Sequence, residues 1–211
     1  MSIDSPGPPA IECRGLSRSY GRRRVLDGVD LAVRSGEIIG LSGENGSGKS
    51  TLLRCLAGYE GRDSGLLILR GRRGYCPQED CLEPRLTVAE HLALAGAAWV
   101  GAGRGREPGP RMKALLERFA LAPLLGQRTA TISGGARQKL KFLLALAPDP
   151  EVLLLDEAYE GFDLRTYGEF WATLAELARE GCAILLVSHL FHEAGRLTRG
   201  LEISGGRIAD A

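Results

Sequence analysis

Residues 43 to 51 read GENGSGKST. Glycines alternate with small polar residues, and a lysine and two hydroxyls close the run. The stretch fits G-x-x-x-x-G-K-[ST], with Gly43, Gly48, Lys49 and Ser50 in the fixed places. Glycines reach positive φ at little cost. The backbone N–H groups from Glu44 through Asn45, Gly46 and Ser47 can therefore point into one concavity. That concavity opens onto a helix N-terminus, which favours an anion. Lys49 is placed to reach the outer phosphates of a nucleotide. The Ser50 hydroxyl is placed to bind Mg²⁺, and Thr51 completes the nucleotide-binding stretch.

A phosphate loop needs a metal partner and a means of handling water. VLLLDE, residues 152 to 157, supplies both kinds of group. Asp156, at the carboxyl end of a buried strand, is expected to hold Mg²⁺ through its water. Glu157 beside it is placed to polarise an attacking water.

These groups must be carried by regular elements. EIIGLS (37–42), before the loop, is a short apolar run suited to a strand buried on both faces. KSTLLRCLAGY after it reads as a helix ended by Gly58. Residues 10–34 read as strands joined by YGRRR, GLLILRG (65–71) as another strand, and a short one runs into YCPQ. From Thr87 the pattern becomes helical. Thr87 and Glu90 match a capping box, a Gly-rich basic loop (GAGRGREPG) separates two helices, and a third helix follows ISGG as far as Pro148. EVLLLDE and CAILLVSH are strands on either side of a helix with Phe170, Leu174 and Leu177 on one stripe. Two short edge strands close the chain. Strands alternating with helices imply a parallel sheet covered on both faces.

With 211 residues there is room for one domain and a small subdomain. Apolar residues make up 44% and charged ones 25%, ordinary for a globular protein. The net charge of +1 argues against a broad nucleic-acid footprint, so no nucleic acid is expected as a partner. No apolar run is long enough to span a bilayer, and MSIDSPGPPA lacks the pattern of a signal peptide. Cys13, Cys55, Cys76, Cys81 and Cys182 form no CxxC pair, and without an export signal they are expected to be reduced thiols in the cytoplasm.

With these motifs in order, the chain resembles the ATP-binding subunit of an ABC (ATP-binding cassette) transporter from about residue 10 to its end. ISGGARQKL, with Ser133, Gly134 and Gly135, resembles the signature motif that separates this family from other phosphate-loop ATPases. YCPQ with Gln78 resembles the glutamine loop, and VSH with His189 the switch histidine. YEGFD with Asp163 resembles the loop after the catalytic glutamate. Tyr20 sits where the family has an aromatic that stacks on adenine. The resemblance implies an α/β fold: a phosphate-loop ATPase core with a mainly parallel sheet, an N-terminal antiparallel β subdomain and an inserted α-helical subdomain. On that reading residues 1–9 are a flexible leader and 10–211 one ATPase domain. Its core is 10–86 and 148–211, and its helical subdomain is 87–147.

The resemblance also implies roles. Gln78 touches Mg²⁺ or the attacking water, and His189 donates to the γ-phosphate. Ser133, Gly134 and Gly135 close on the γ-phosphate held by a second subunit, so two ATP molecules are sandwiched in a head-to-tail homodimer. The partners implied are ATP, a second copy and an integral-membrane permease, at the cytoplasmic side of the cell membrane. The compact cassette leans toward export. The alternative is a soluble ABC-type ATPase acting on the ribosome or nucleic acid. His91 and His192 lack motif context and read as surface or helix-packing residues. The chain departs from the family pattern at Ala136, where Gln or Met is usual, and at Ala158-Tyr159, where Pro-Thr or Pro-Ser is usual. Glu160 and Phe162 are also unusual. These residues are expected near the dimer seam, with the active site still of ordinary competence.

Overall fold

A computed structural model of the chain describes residues 7–100, 109–187 and 195–210, without the side chains of 97–100 and 210. The elements run β1 (Ile11–Tyr20), β2 (Arg23–Val33), β3 (Ile38–Ser42), α1 (Lys49–Ala57), β4 (Ser64–Leu69) and β5 (Arg73–Cys76). There follow α2 (Val88–Val100), α3 (Pro110–Arg118), two short 3-10 turns and α4 (Gly134–Leu146). The chain closes with β6 (Val152–Asp156), α5 (Leu164–Arg179), β7 (Ala183–Val187), β8 (Arg199–Ser204) and β9 (Arg207–Asp210).

Two sheets form. β2-β1-β4 is antiparallel throughout, and β5-β6-β7-β3-β8-β9 is parallel except for its last pair. The central strands β3, β6 and β7 are apolar except for Ser42 and Asp156 at their ends, because both of their faces are covered. On β6, Leu153 and Leu155 enter one core with α4 and α5. Val152 and Leu154 enter the other, with α1 and the small sheet. β7 divides in the same way, Ile184 and Leu186 to one side and Ala183, Leu185 and Val187 to the other. This is the two-residue period of a strand realised as two cores.

Register then decides what meets at the sheet edge. Leu41 and Asp156 both lie opposite Val187, and Cys76 opposite Leu155. The segments after β3, β5 and β6 therefore leave from the carboxyl edge at one level, beside the end of β7. That edge is where open α/β sheets place their ligands.

The helical segment between β5 and β6 begins with the capping box. The Thr87 N–H donates to Glu90 Oε2 at 2.7 Å, and the Glu90 N–H to Thr87 Oγ1 at 3.2 Å. Arg118 of α3 donates to both carboxylate oxygens of Glu176 on α5, at 2.7 and 3.1 Å. α4 lies directly on β5, where Gly74 has no side chain to hold it off. A Cβ there would fall 2.0 Å from the Ala145 carbonyl oxygen. The close approach brings α4 beside the loop after β5. Gly74→Ala is expected to lose about 2 kcal/mol through overpacking, seen as a lower midpoint in denaturant. An unchanged midpoint would mean that the two elements have slack between them.

Candidate active site

The loop between β3 and α1 has the backbone that its glycines permit. Gly43, Gly46 and Gly48 have φ of 146°, 78° and 111°. A Cβ at Gly43 would lie 2.4 Å from the Ile203 carbonyl oxygen, and one at Gly48 2.9 Å from that of Val25. The loop is thus wedged between β8 and β2, and only glycine fits. The Ser47 N–H donates to the Glu44 carbonyl at 3.2 Å, and Arg23 donates to the Gly46 carbonyl at 3.2 Å. Glu44, Asn45 and Gly46 are exposed. α1 has no side-chain cap and no acid in its first turn, so its positive end faces the loop uncompensated. Lys49 is buried, and its ammonium donates to the carbonyls of Gly43 at 2.6 Å and Glu44 at 2.9 Å. Thr51 is buried behind it.

Across the sheet edge stand the two carboxylates. Asp156 ends β6 at 1% exposure. Burial pushes its carboxyl above the ordinary range, and the nearby Ser50 hydroxyl opposes that. Among the described residues nothing hydrogen-bonds its Oδ1. Glu157 takes φ of 51°, which is uncommon for a residue with a side chain. Its N–H donates to the Val187 carbonyl at 3.3 Å, so β7 holds the turn. Its Oε2 accepts from Gln78 Nε2 at 2.7 Å. Loop, Ser50, Asp156, Glu157 and Gln78 therefore form one cluster, although Gln78 and Glu157 are 79 positions apart in sequence.

Tyr20 ends β1 beside α1, 43% exposed. Its hydroxyl donates to Glu60, and the Arg18 guanidinium lies 5.1 Å from its ring centroid. Burial and then Glu60 raise its pKa. Ser133 caps α4, its hydroxyl accepting from the Ala136 N–H at 3.2 Å. That bond uses the Ala136 donor, which leaves Gly134 and Gly135 at the exposed start of the helix. No hydrogen bond among the described residues joins Ser133, Gly134 or Gly135 to the phosphate loop. Asp163 caps α5, accepting from the Thr166 N–H at 2.8 Å and its hydroxyl at 3.0 Å. The backbone N–H and then the hydroxyl of Thr166 lower its pKa. His189 and His192 lie outside the described residues. His91 is a packing histidine: it is buried, with Nε2 accepting from the Glu83 N–H at 3.0 Å and Nδ1 2.9 Å from the Thr87 carbonyl.

The departures from the family pattern at residues 158–162 find packing partners within the chain. Ala158 is fully buried in the core beneath α4 and α5. The Tyr159 ring stacks among Tyr167 and Phe170, each 5.5 Å away, and Trp171 at 6.5 Å. Phe162 adds an edge contact to Phe170 at 6.0 Å. The segment after Glu157 is thus glued to α5 by aromatic rings. Glu160 is exposed.

Two residues of the cluster were not singled out from sequence. Gln138 donates to the Glu157 carbonyl at 3.3 Å. Lys141, at 4% exposure, donates to the carbonyls of Pro77, Gln78 and Glu79. The one signal for it was a lysine inside the apolar run LKFLLAL. The cysteines are all free, and burial raises the thiols of Cys13, Cys76 and Cys182 to about 12. Among the described residues no helix is long and apolar enough to cross a membrane.

Residues 26–160 match the family model described as ABC transporter. The chain is 37% identical over 226 residues to the Nod factor export ATP-binding protein I of Ralstonia nicotianae, covering 97% of this chain and 69% of that protein. It is 38% identical over 207 residues to the aliphatic sulfonates import ATP-binding protein SsuB 1 of Nocardia farcinica, covering 97% and 82%. Among solved structures it superposes on the ATP-binding subunit of an ABC transporter with a TM-score of 0.86 and 28% identity, covering 95% of this chain and 90% of that one. With the phosphate loop, the buried aspartate and the adjacent glutamate on one sheet edge, these matches settle the family. The chain belongs to the ABC transporters, as an ATP-binding ATPase subunit.

Proposed function

We propose that this subunit hydrolyses ATP with Mg²⁺ and, as a head-to-tail homodimer, drives a separate membrane permease from the cytoplasmic side. The observation that carries the chemistry is the buried Asp156, whose Oδ1 nothing among the described residues hydrogen-bonds, beside a Glu157 held by Gln78 at 2.7 Å.

The residues fit Mg²⁺. A buried carboxylate oxygen with no partner and an adjacent hydroxyl are hard oxygen donors. Among the described residues there is no cage of three or more acidic, histidine or cysteine side chains. That suits a small ion that keeps waters and takes its other ligands from phosphates. Ser50 and Asp156 would hold it, with Gln78 at its edge. Held there, it would supply positive charge against the phosphate oxygens of ATP.

The chain's own groups do the rest. The loop amides from Gly43 to Gly48 and the end of α1 cradle the phosphates. The Lys49 ammonium, now held by two carbonyls, moves to the outer phosphate oxygens. Tyr20 offers its ring to adenine. Glu157 orients and polarises the attacking water, Gln78 fixes the glutamate's rotamer, and His189 hydrogen-bonds the γ-phosphate. Positioning and charge stabilisation carry the rate.

The dimer reading is supported by the open start of α4. Within the described chain no atom lies within 4 Å of a Cβ built on Gly134, and on Gly135 the nearest is the Gly161 carbonyl oxygen at 3.8 Å. A second copy's nucleotide can approach those amides, with Asp163 at the rim. A dimeric bacterial ABC transporter cassette shares the fold with a TM-score of 0.83 at 24% identity. The transport reading comes from relatives named for an exporter and for an importer at nearly equal identity. It therefore extends to the motor and leaves direction to the permease.

Four outcomes are expected. Glu157→Gln keeps ATP binding and loses hydrolysis by roughly 10²–10⁴-fold; unchanged turnover would remove Glu157 from its role. For Asp156 the sign follows from burial: a carboxyl raised in the fold costs stability once ionised. At neutral pH without nucleotide, Asp156→Asn should melt above the wild type, and the gap should close as pH falls below the ordinary carboxylate range. The same variant should lose the extra melting temperature that Mg²⁺ and ATP together give the wild type. A tagged pull-down from detergent-solubilised host membranes should recover a multi-span partner. Recovery only from the soluble fraction would end the transport reading.

A further inference from the structure

The segment from Leu140 to Leu146 of α4 is apolar but for Lys141, which reaches into the core at 4% exposure. Its ammonium donates to three consecutive carbonyls, those of Pro77 at 3.0 Å, Gln78 at 2.8 Å and Glu79 at 2.9 Å. An ammonium has three donors, and all are used. Among the described residues no carboxylate lies within ion-pair distance of it. A buried cation without a counter-charge is costly, and an apolar side chain would fill the place with no such cost. What the ammonium adds is direction: three carbonyls in a row must converge on one point.

That convergence fixes the backbone of Gln78, whose side chain then meets Glu157 Oε2 at 2.7 Å. One turn earlier on the same helix, Gln138 donates to the Glu157 carbonyl at 3.3 Å. α4 thus grips Glu157 by two routes, one through its backbone and one through Lys141 and Gln78. The helix begins with the exposed Ser133 and Gly134.

We propose that Lys141 is a positioning residue for hydrolysis, clamping the carbonyls of residues 77–79 so that Gln78 sets the rotamer of Glu157. The inference rests on the reading of Glu157 and Gln78 given above. It makes the carboxylate's aim depend on where α4 lies. Any shift of the helix start is carried to the glutamate through a buried charge that tolerates no slack.

The test is a double-mutant cycle on the full chain, with steady-state ATP hydrolysis and nucleotide affinity as readouts. Lys141→Met, similar in length and without donors, should lower kcat about tenfold or more and leave KM for ATP within about twofold, because aim and not binding is lost. Gln78→Ala should lower kcat alone, and adding Lys141→Met to it should cost little more. Lys141→Gln, which keeps two donors, should fall between. Wild-type kcat in Lys141→Met, or losses that multiply independently of Gln78→Ala, would overturn the clamp. So would failure of both Lys141 variants to fold with wild-type ATP affinity, since the residue would then serve the core alone. The underlying site reading fails separately: if Gln78→Ala and Glu157→Gln both leave turnover unchanged, the clamp has nothing to position.

Discussion

The rest of the structure is organised around one buried carboxylate. Asp156 closes a strand that is covered on both faces, so its charge sits where water cannot reach it. Burial alone would drive it toward the neutral acid, and the Ser50 hydroxyl opposes that only in part. A cation is the natural complement, and the phosphate loop brings the anion that accompanies the cation. The strain has an address: it falls on the one edge of the sheet where the parallel strands release their loops together.

Parallel pairing is what makes that edge a meeting point. In an antiparallel sheet the carboxyl ends of neighbouring strands alternate between edges. Here β3, β5, β6 and β7 all run one way, so the segments carrying Lys49, Gln78 and Glu157 leave side by side. Helices then fix the side chains. α1 supplies its uncompensated N-terminus, and α4 lies close enough to β5, through Gly74, to reach both Gln78 and Glu157. α5 anchors the segment that follows the glutamate, through the Tyr159 and Phe162 rings.

This division of labour also accounts for the unusual residues after Glu157. The Pro-Thr or Pro-Ser usual there has no large ring to pack on α5. Ala158 in the core and Tyr159 among three aromatic rings tie it to α5 instead. Glu157 keeps its positive φ because both sides of the turn are held, by β7 before it and by the aromatic cluster after it.

The sequence by itself determined whatever depends on neighbours along the chain. The glycine spacing of residues 43–48, the apolar runs that end at Ser42 and Asp156, the Thr87–Glu90 capping box and the helix stop at Gly58 are local devices, and local chemistry writes them in order. It also placed Asp156 and Glu157 together at the end of a buried strand. Only the tertiary structure decided which distant groups touch. No periodicity pairs Gln78 with Glu157, sends Lys141 inward from an otherwise apolar run, or sets Tyr159 among the rings of α5. Those contacts follow from strand register and from how closely α4 can approach β5, and both are set by packing across the whole sheet.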